Sequence, residues 1–134
     1  MTNLALTDRL NSKRQAKNML KLYGIPNCST VKKARDWLDT NGVAYEFHDF
    51  KKLSVDAVTL ENWLSQISHE KLINRSGLTW RGLDDNVKQN IINNQAAITL
   101  MMEKTSVIKR PILEKDGKIV ALGFSEAQYQ LLLS

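Results

Sequence analysis

The chain holds one cysteine, Cys28, and it stands at a junction where a thiol can be made reactive. The run Leu20-Lys21-Leu22-Tyr23-Gly24-Ile25-Pro26-Asn27-Cys28-Ser29-Thr30 passes from alternating residues through a Gly/Pro/Asn loop to a polar helix start. A sulfur at a helix N-terminus faces unpaired backbone N–H groups and the positive end of the helix dipole. Such surroundings favour thiolate over thiol and lower the pKa from its free value of about 8.5. A lone cysteine is otherwise a small buried apolar residue; the loop–cysteine–helix setting weighs toward a reactive one. Asn27 and Ser29 flank the sulfur and serve either as hydrogen-bond donors to it or as turn and cap residues. The N–H groups near Ser29 and Thr30 add electrostatic support. Lys32 lies about one helical turn beyond the thiol and reads as a solvated side chain.

A guanidinium is the natural partner for a thiolate. Arg110 precedes Pro111 at the opening of an apolar run, and proline is tolerated at a strand start. Arg110 is either a solvated surface residue or a forked donor that steadies the thiolate and grips a carboxylate or oxyanion. Asn74 and Arg75 follow the apolar pair Leu72-Ile73 and precede a loop. They read equally as a second substrate contact and as a helix end with an exposed arginine. His48 and His69 are not spaced for a metal site with the lone cysteine, and a structural or solvent role is expected for both. Phosphate-binding loops, dinucleotide fingerprints and zinc patterns are absent, so no metal is expected.

These residues need elements to hold them. Lys21 to Tyr23 read as a first strand. Ser29 or Thr30 to about Thr40 read as a helix with Val31, Ala34, Trp37 and Leu38 on one face, stopped by Asn41-Gly42. Val43, Tyr45 and Phe47 alternate with polar residues as a second strand, and a right-handed crossover makes the two strands parallel. The middle is helical: one segment opens at Ser54 and Asp56 with Leu60, Trp63, Leu64 and Ile67 on a face. Another opens near Asp84 or Asp85 with Val87, Ile91 and Ile92, and a third follows Asn94. The stretch from Lys71 to Arg81 reads as a short helical turn and a loop. Ile112–Glu114 and Ile119–Leu122 flank Asp116-Gly117, a strong hairpin turn. Ser125 and Gln128 form a capping box for a last helix, with Ala127, Leu131 and Leu132 toward the sheet.

The order β-α-β, helices, β-β-α is that of an α/β thioredoxin-like domain with a mixed sheet and an inserted all-helical lobe at about 53–105. In that arrangement a cis-proline at the third strand lies beside the cysteine loop. Residues 1–18 are polar and basic and are expected to form a flexible tail, with a single domain at 19–134.

Composition narrows the class. A chain of 134 residues, 43% hydrophobic and 25% charged, suits one soluble globular domain. No apolar run approaches the roughly 20 residues of a membrane helix, and no secretory signal is visible. One cysteine makes no internal disulfide. The cytoplasm is the expected location. The net charge of +5 favours anionic partners. Part of that excess is Arg9, Lys13, Arg14 and Lys17 against Asp8, and the rest is scattered among acids, so a nucleic-acid surface is not expected.

Taken together, four blocks resemble the arsenate reductase-like (ArsC/Spx) family, which includes the Spx regulators and the YffB proteins. They are Tyr23–Ala34, Asn74–Arg81, Ile108–Leu113 and Leu122-Gly123-Phe124, and they look closest to the YffB branch. The resemblance implies the thioredoxin-like fold with its helical lobe, Cys28 as redox thiol, and Arg110 as its partner beside cis-Pro111. It also implies glutathione as co-substrate, with Asn27, Ser29, Thr30, Asn74, Arg75 and Pro111 as candidate binding residues. Two departures matter. Glutathione-coupled arsenate reductases are similar but carry arginines where this chain has Asn74 and Gly123. Spx regulators with a redox switch carry a second cysteine where this chain has Val31. The expectation is a small glutathione-dependent thiol reductase; the alternatives are an Spx-like regulator that docks on RNA polymerase and an arsenate reductase.

Overall fold

The computed structural model describes residues 20–133; the expected tail at 1–18 and Met19 lie outside them. Strand β1 (Leu20–Gly24) sends Leu20 and Leu22 to one side of the sheet and Tyr23 to the other, as the period of two requires. Helix α1 (Ser29–Thr40) buries Val31, Ala34 and Leu38, each Val or Leu contributing about 1.5–3 kcal/mol. It stops at Asn41, whose side chain donates to the Trp37 carbonyl at 2.8 Å, and at Gly42, where φ is +65°.

Strand β2 (Tyr45–Asp49) pairs parallel to β1 in the register Leu20↔Tyr45, starting two residues later than the alternation at Val43 predicts. Asp49 then caps a one-turn helix, α2 (Phe50–Leu53), by accepting the Lys51 N–H at 2.8 Å. Five helices follow: α3 (Ala57–Leu64), α4 (His69–Leu72), α5 (Leu78–Arg81), α6 (Asp85–Gln89) and α7 (Asn94–Glu103). Asp56 and Asn93 cap α3 and α7 by accepting the N–H of Thr59 at 2.8 Å and of Ala96 at 2.9 Å. Helices α2 and α5 are absent from the sequence-based expectation because a single turn shows no repeat of its own. The face expected at Val87, Ile91 and Ile92 also breaks up. Helix α6 ends before Ile91, which is buried, while Ile92 is 77% exposed.

A 3₁₀ turn (Thr105–Val107) leads to a cis Arg110-Pro111 bond and to β3 (Ile112–Lys115). The hairpin to β4 (Lys118–Leu122) turns on Asp116 and Gly117, with φ +53° and +80°, the left-handed pair that a two-residue turn needs. Helix α8 (Glu126–Leu133) starts with the Gln128 N–H donating to Ser125 Oγ at 3.3 Å. Its inner face is a correction. Ala127, Leu131 and Leu132 are exposed, and Tyr129 is the fully buried residue. The tyrosine ring packs edge-on against Trp37 and Phe124 at 5.7 and 4.8 Å, which buries more area than a leucine could.

The sheet order is β2-β1-β3-β4, with β3 antiparallel to both β1 and β4. Helices α1 and α8 cover one face, through Ala34, Leu38 and Tyr129 against Leu20, Leu22, Leu113 and Ala121. Helices between β2 and β3 cover the other, with Leu60, Trp63 and Met101 against Tyr23 and Ile112. This is a thioredoxin-like fold. The buried Glu114 on β3 joins its layers by accepting from Trp63 Nε1 at 2.7 Å and from the Tyr23 hydroxyl at 3.5 Å. Asn62 and Gln66 tie the same helices to the hairpin, both donating to the Gly117 carbonyl at 2.7 and 2.9 Å.

Candidate active site

Three chain segments meet at one edge of the sheet. Strands β1 and β2 run parallel, so their C-terminal ends lie side by side, and antiparallel β3 begins at that same edge. The pairing Tyr23↔Ile112 brings the Arg110-Pro111 step next to the loop after β1. A cleft of about 530 Å³ opens there. Pro26, Asn27 and Cys28 line it from the loop after β1, Asp49, Lys51 and Lys52 from the β2–α2 junction, and Ser106 and Arg110 from the approach to β3.

Cys28 is the N-cap residue of α1, in extended backbone geometry. Its N–H donates to the Ile25 carbonyl at 3.2 Å, and its carbonyl accepts the Lys32 N–H at 2.9 Å. Gly24 makes the tight approach behind this loop: a Cβ there would lie 2.8 Å from Val31 Cγ2. The sulfur is half-buried and closes no capping hydrogen bond. Burial pushes its pKa up, but the Val31 N–H, the Arg110 guanidinium and the Thr30 N–H outweigh that and hold it below the ordinary thiol value. These donors act by proximity as an amide-rich, cationic environment.

Arg110 is held from behind. Its Nη1 donates to the Ser106 carbonyl at 2.7 Å and to the Ile108 carbonyl at 3.4 Å, while its buried Nε finds no partner. Ser106 Oγ also accepts from Lys51 Nζ at 3.4 Å. Asn27 lines the cleft; Ser29 is exposed at the first turn of α1, and Thr30 contributes its N–H. Pro111 is buried, its carbonyl accepting the Gly123 N–H at 2.8 Å. Asn74 and Arg75 do not line the cleft. The Asn74 N–H donates to the Val107 carbonyl at 2.8 Å, and the Arg75 guanidinium sits 5.1 Å from the Trp80 ring centre. The 72–74 segment nevertheless braces the approach to Arg110, pairing Ile73 with Ile108.

Lys32 is exposed and outside the cleft lining. His48 donates from Nε2 to the Ser54 carbonyl at 2.7 Å and stacks beside Tyr23 at 4.8 Å. His69 opens α4, its Nδ1 buried without a partner. Among the described residues, no group of three or more His, Cys, Asp or Glu side chains is placed to hold a metal ion. No helix among them is long and apolar enough to cross a membrane. Asp49, Lys51, Lys52 and Ser106 escape sequence reasoning. For Asp49-Phe50-Lys51-Lys52 a signal exists, since this run ends a strand parallel to β1 and therefore falls at the cysteine's edge. Ser106 offers none.

The model of the ArsC family matches residues 23–132. The chain belongs to the ArsC family. An uncharacterized protein of Haemophilus influenzae is 38% identical over 112 residues, covering 84% of this chain and 96% of that relative. A solved structure named YffB superposes with a TM-score of 0.80 at 40% identity, over 87% of this chain and 100% of its own. An arsenate reductase (ArsC) related protein from Brucella melitensis superposes at 0.69 with 45% identity, over 84% of this chain and 92% of that one. In this ArsC-family chain, the two positions where the sequence resemblance implies further arginines, Asn74 and Gly123, both lie off the cleft lining.

Proposed function

We propose that this protein is a glutathione-dependent thiol–disulfide reductase working through one cysteine. The observation that carries the reading is the placement of Cys28 at the N-terminus of α1 in the same cleft as Arg110. Membership of the ArsC family supports redox chemistry at that sulfur. The Cys28 thiolate attacks the glutathione sulfur of a mixed disulfide. The substrate's S–S bond breaks, the substrate thiolate leaves and takes a proton from solvent, and Cys28 carries glutathione. A second glutathione thiolate then attacks this adduct, releasing glutathione disulfide and restoring the Cys28 thiolate. That second thiol comes from outside, because the chain has a single cysteine.

Arg110 stabilises the attacking thiolate and offers a charge-assisted donor to an anionic group on the incoming molecule. Asn27 borders the sulfur in the lining, and the N–H groups of Thr30 and Val31 complete its amide-rich side. Arsenate is not the proposed substrate: one guanidinium faces the sulfur, and Arg75 is placed over Trp80. A glutathione reductant and an unpaired cysteine suit a reducing compartment such as the cytoplasm.

The test is Cys28→Ser. Wild type is expected to form one glutathione adduct by mass spectrometry and to reduce a glutathione mixed disulfide in a coupled assay, while the variant does neither. Turnover that survives in the variant would exclude the mechanism.

A further inference from the structure

The cleft carries more positive charge than a thiolate requires. Arg110 serves the sulfur, and Lys51 and Lys52 add two ammonium groups from the β2–α2 junction. Asp49, the carboxylate among the lining residues, is only 9% exposed, and its Oδ1 is engaged in accepting the Lys51 backbone N–H. Ser106 spans the two cationic walls. Its carbonyl holds Arg110 Nη1 at 2.7 Å, and its hydroxyl lies 3.4 Å from Lys51 Nζ. Two cations from distant parts of the chain thus reach opposite ends of one residue. The Lys51 partner is a neutral hydroxyl at the long limit of a hydrogen bond, so Nζ has spare donors for a ligand. Lys52 is shared with a neighbouring groove lined by Arg35, Phe47 and Leu53; Lys51 lines the thiol cleft but not that groove.

We propose that Lys51, beside Ser106, is the carboxylate anchor of the cleft and selects thiol carriers that bear a carboxylate. This rests on the reductase reading above and assigns its specificity: Arg110 acts at the sulfur end and Lys51 at the carboxylate end. Glutathione, with two carboxylates, fits such a pair; a neutral or cationic disulfide does not.

The experiment measures single-turnover exchange of Cys28 with three disulfides: glutathione disulfide, hydroxyethyl disulfide and cystamine. In each, the Cys28 thiolate attacks one sulfur, the S–S bond breaks, and half the reagent leaves as thiolate. Wild type is expected to favour glutathione disulfide over cystamine, with the preference shrinking as salt is raised. In Lys51→Gln the ratio of glutathione disulfide to hydroxyethyl disulfide rates should fall about two- to fivefold, as for loss of one exposed charge pair. Lys51→Glu should invert the preference toward cystamine. The midpoint of the pH profile for alkylation should stay put in Lys51→Gln, which separates ligand selection from a change in the thiol. Equal slowing toward all three reagents, an unchanged ratio, or no exchange with any of them overturns the proposal. Wild type that exchanges selectively but shows no glutathione-coupled turnover would sink the reductase reading and leave the anchor standing.

Discussion

At the scale of single residues, the site reduces to a contest over one proton. Burial favours the neutral thiol of Cys28; two backbone N–H groups and the Arg110 guanidinium favour the thiolate and win. Removing the guanidinium removes a partner that stabilises only the charged form, so the pKa must rise. For Arg110→Ala, the rate of iodoacetamide alkylation should therefore reach half-maximum at higher pH than in wild type. At neutral pH the variant should react more slowly, and at high pH, where both are ionised, the rates should converge. Superimposable profiles would remove Arg110 from the thiol's environment. Cys28 and Arg110 were legible because a lone thiol at a loop–helix junction and an Arg-Pro step at a strand start carry local signals. Lys51 carries no local signal; only its place after a strand parallel to β1 puts it at the cysteine's end of the sheet.

Among elements, the approach of β1 to α1 sets where the thiol lies. Gly24 permits that approach, and Val31 fills the space opposite, fully buried. In Gly24→Ala the new methyl would meet Val31 Cγ2 at 2.8 Å, the side chain of a packed β-branched residue with little room to move. Over-packing of this kind costs about 1–3 kcal/mol. Val31→Ala alone also destabilises, by opening a cavity. The two changes share one space, so the double variant should be more stable in urea unfolding than the sum of the singles predicts. Strict additivity would refute the contact. The same scale explains what sequence patterning missed. Helix α1 shows its apolar stripe over 12 residues and its cap at Asn41, and it lies where the pattern predicts. The four-residue helices α2 and α5 have no stripe to read. In α8 the apolar residues Ala127, Leu131 and Leu132 point to a different inner face from Tyr129, which the aromatic pocket of Trp37 and Phe124 selects.

Across the whole molecule, each face of the sheet buries one tyrosine. Tyr23 lies under the helices between β2 and β3, and Tyr129 under α1 and α8. Burial pushes both phenols up, helped at Tyr23 by the Glu114 carboxylate. A folded-state pKa above the unfolded value means that folding is fully favoured below the unfolded tyrosine pKa of about 10 and loses stability as pH rises past it. Tyrosinate absorbance from these residues should therefore appear together with the loss of far-ultraviolet dichroism in an alkaline titration. Ionisation of both at an ordinary midpoint, with the fold intact, would contradict the packing on both faces.

The element order, the parallel β1–β2 pair, the Asp116-Gly117 hairpin and the thiol at a helix start were determined by sequence alone, because periodicity, turn chemistry and capping act over a few neighbouring residues. The cleft was decided only by tertiary structure. Its cations come from the turn after β2 and the step before β3, and they converge because two strands run parallel and the third runs against them. Tertiary packing also brought Lys51 within reach of Ser106, the residue whose carbonyl holds Arg110. Contacts between residues more than fifty positions apart leave no trace in local spacing, and the chemistry of this site depends on them.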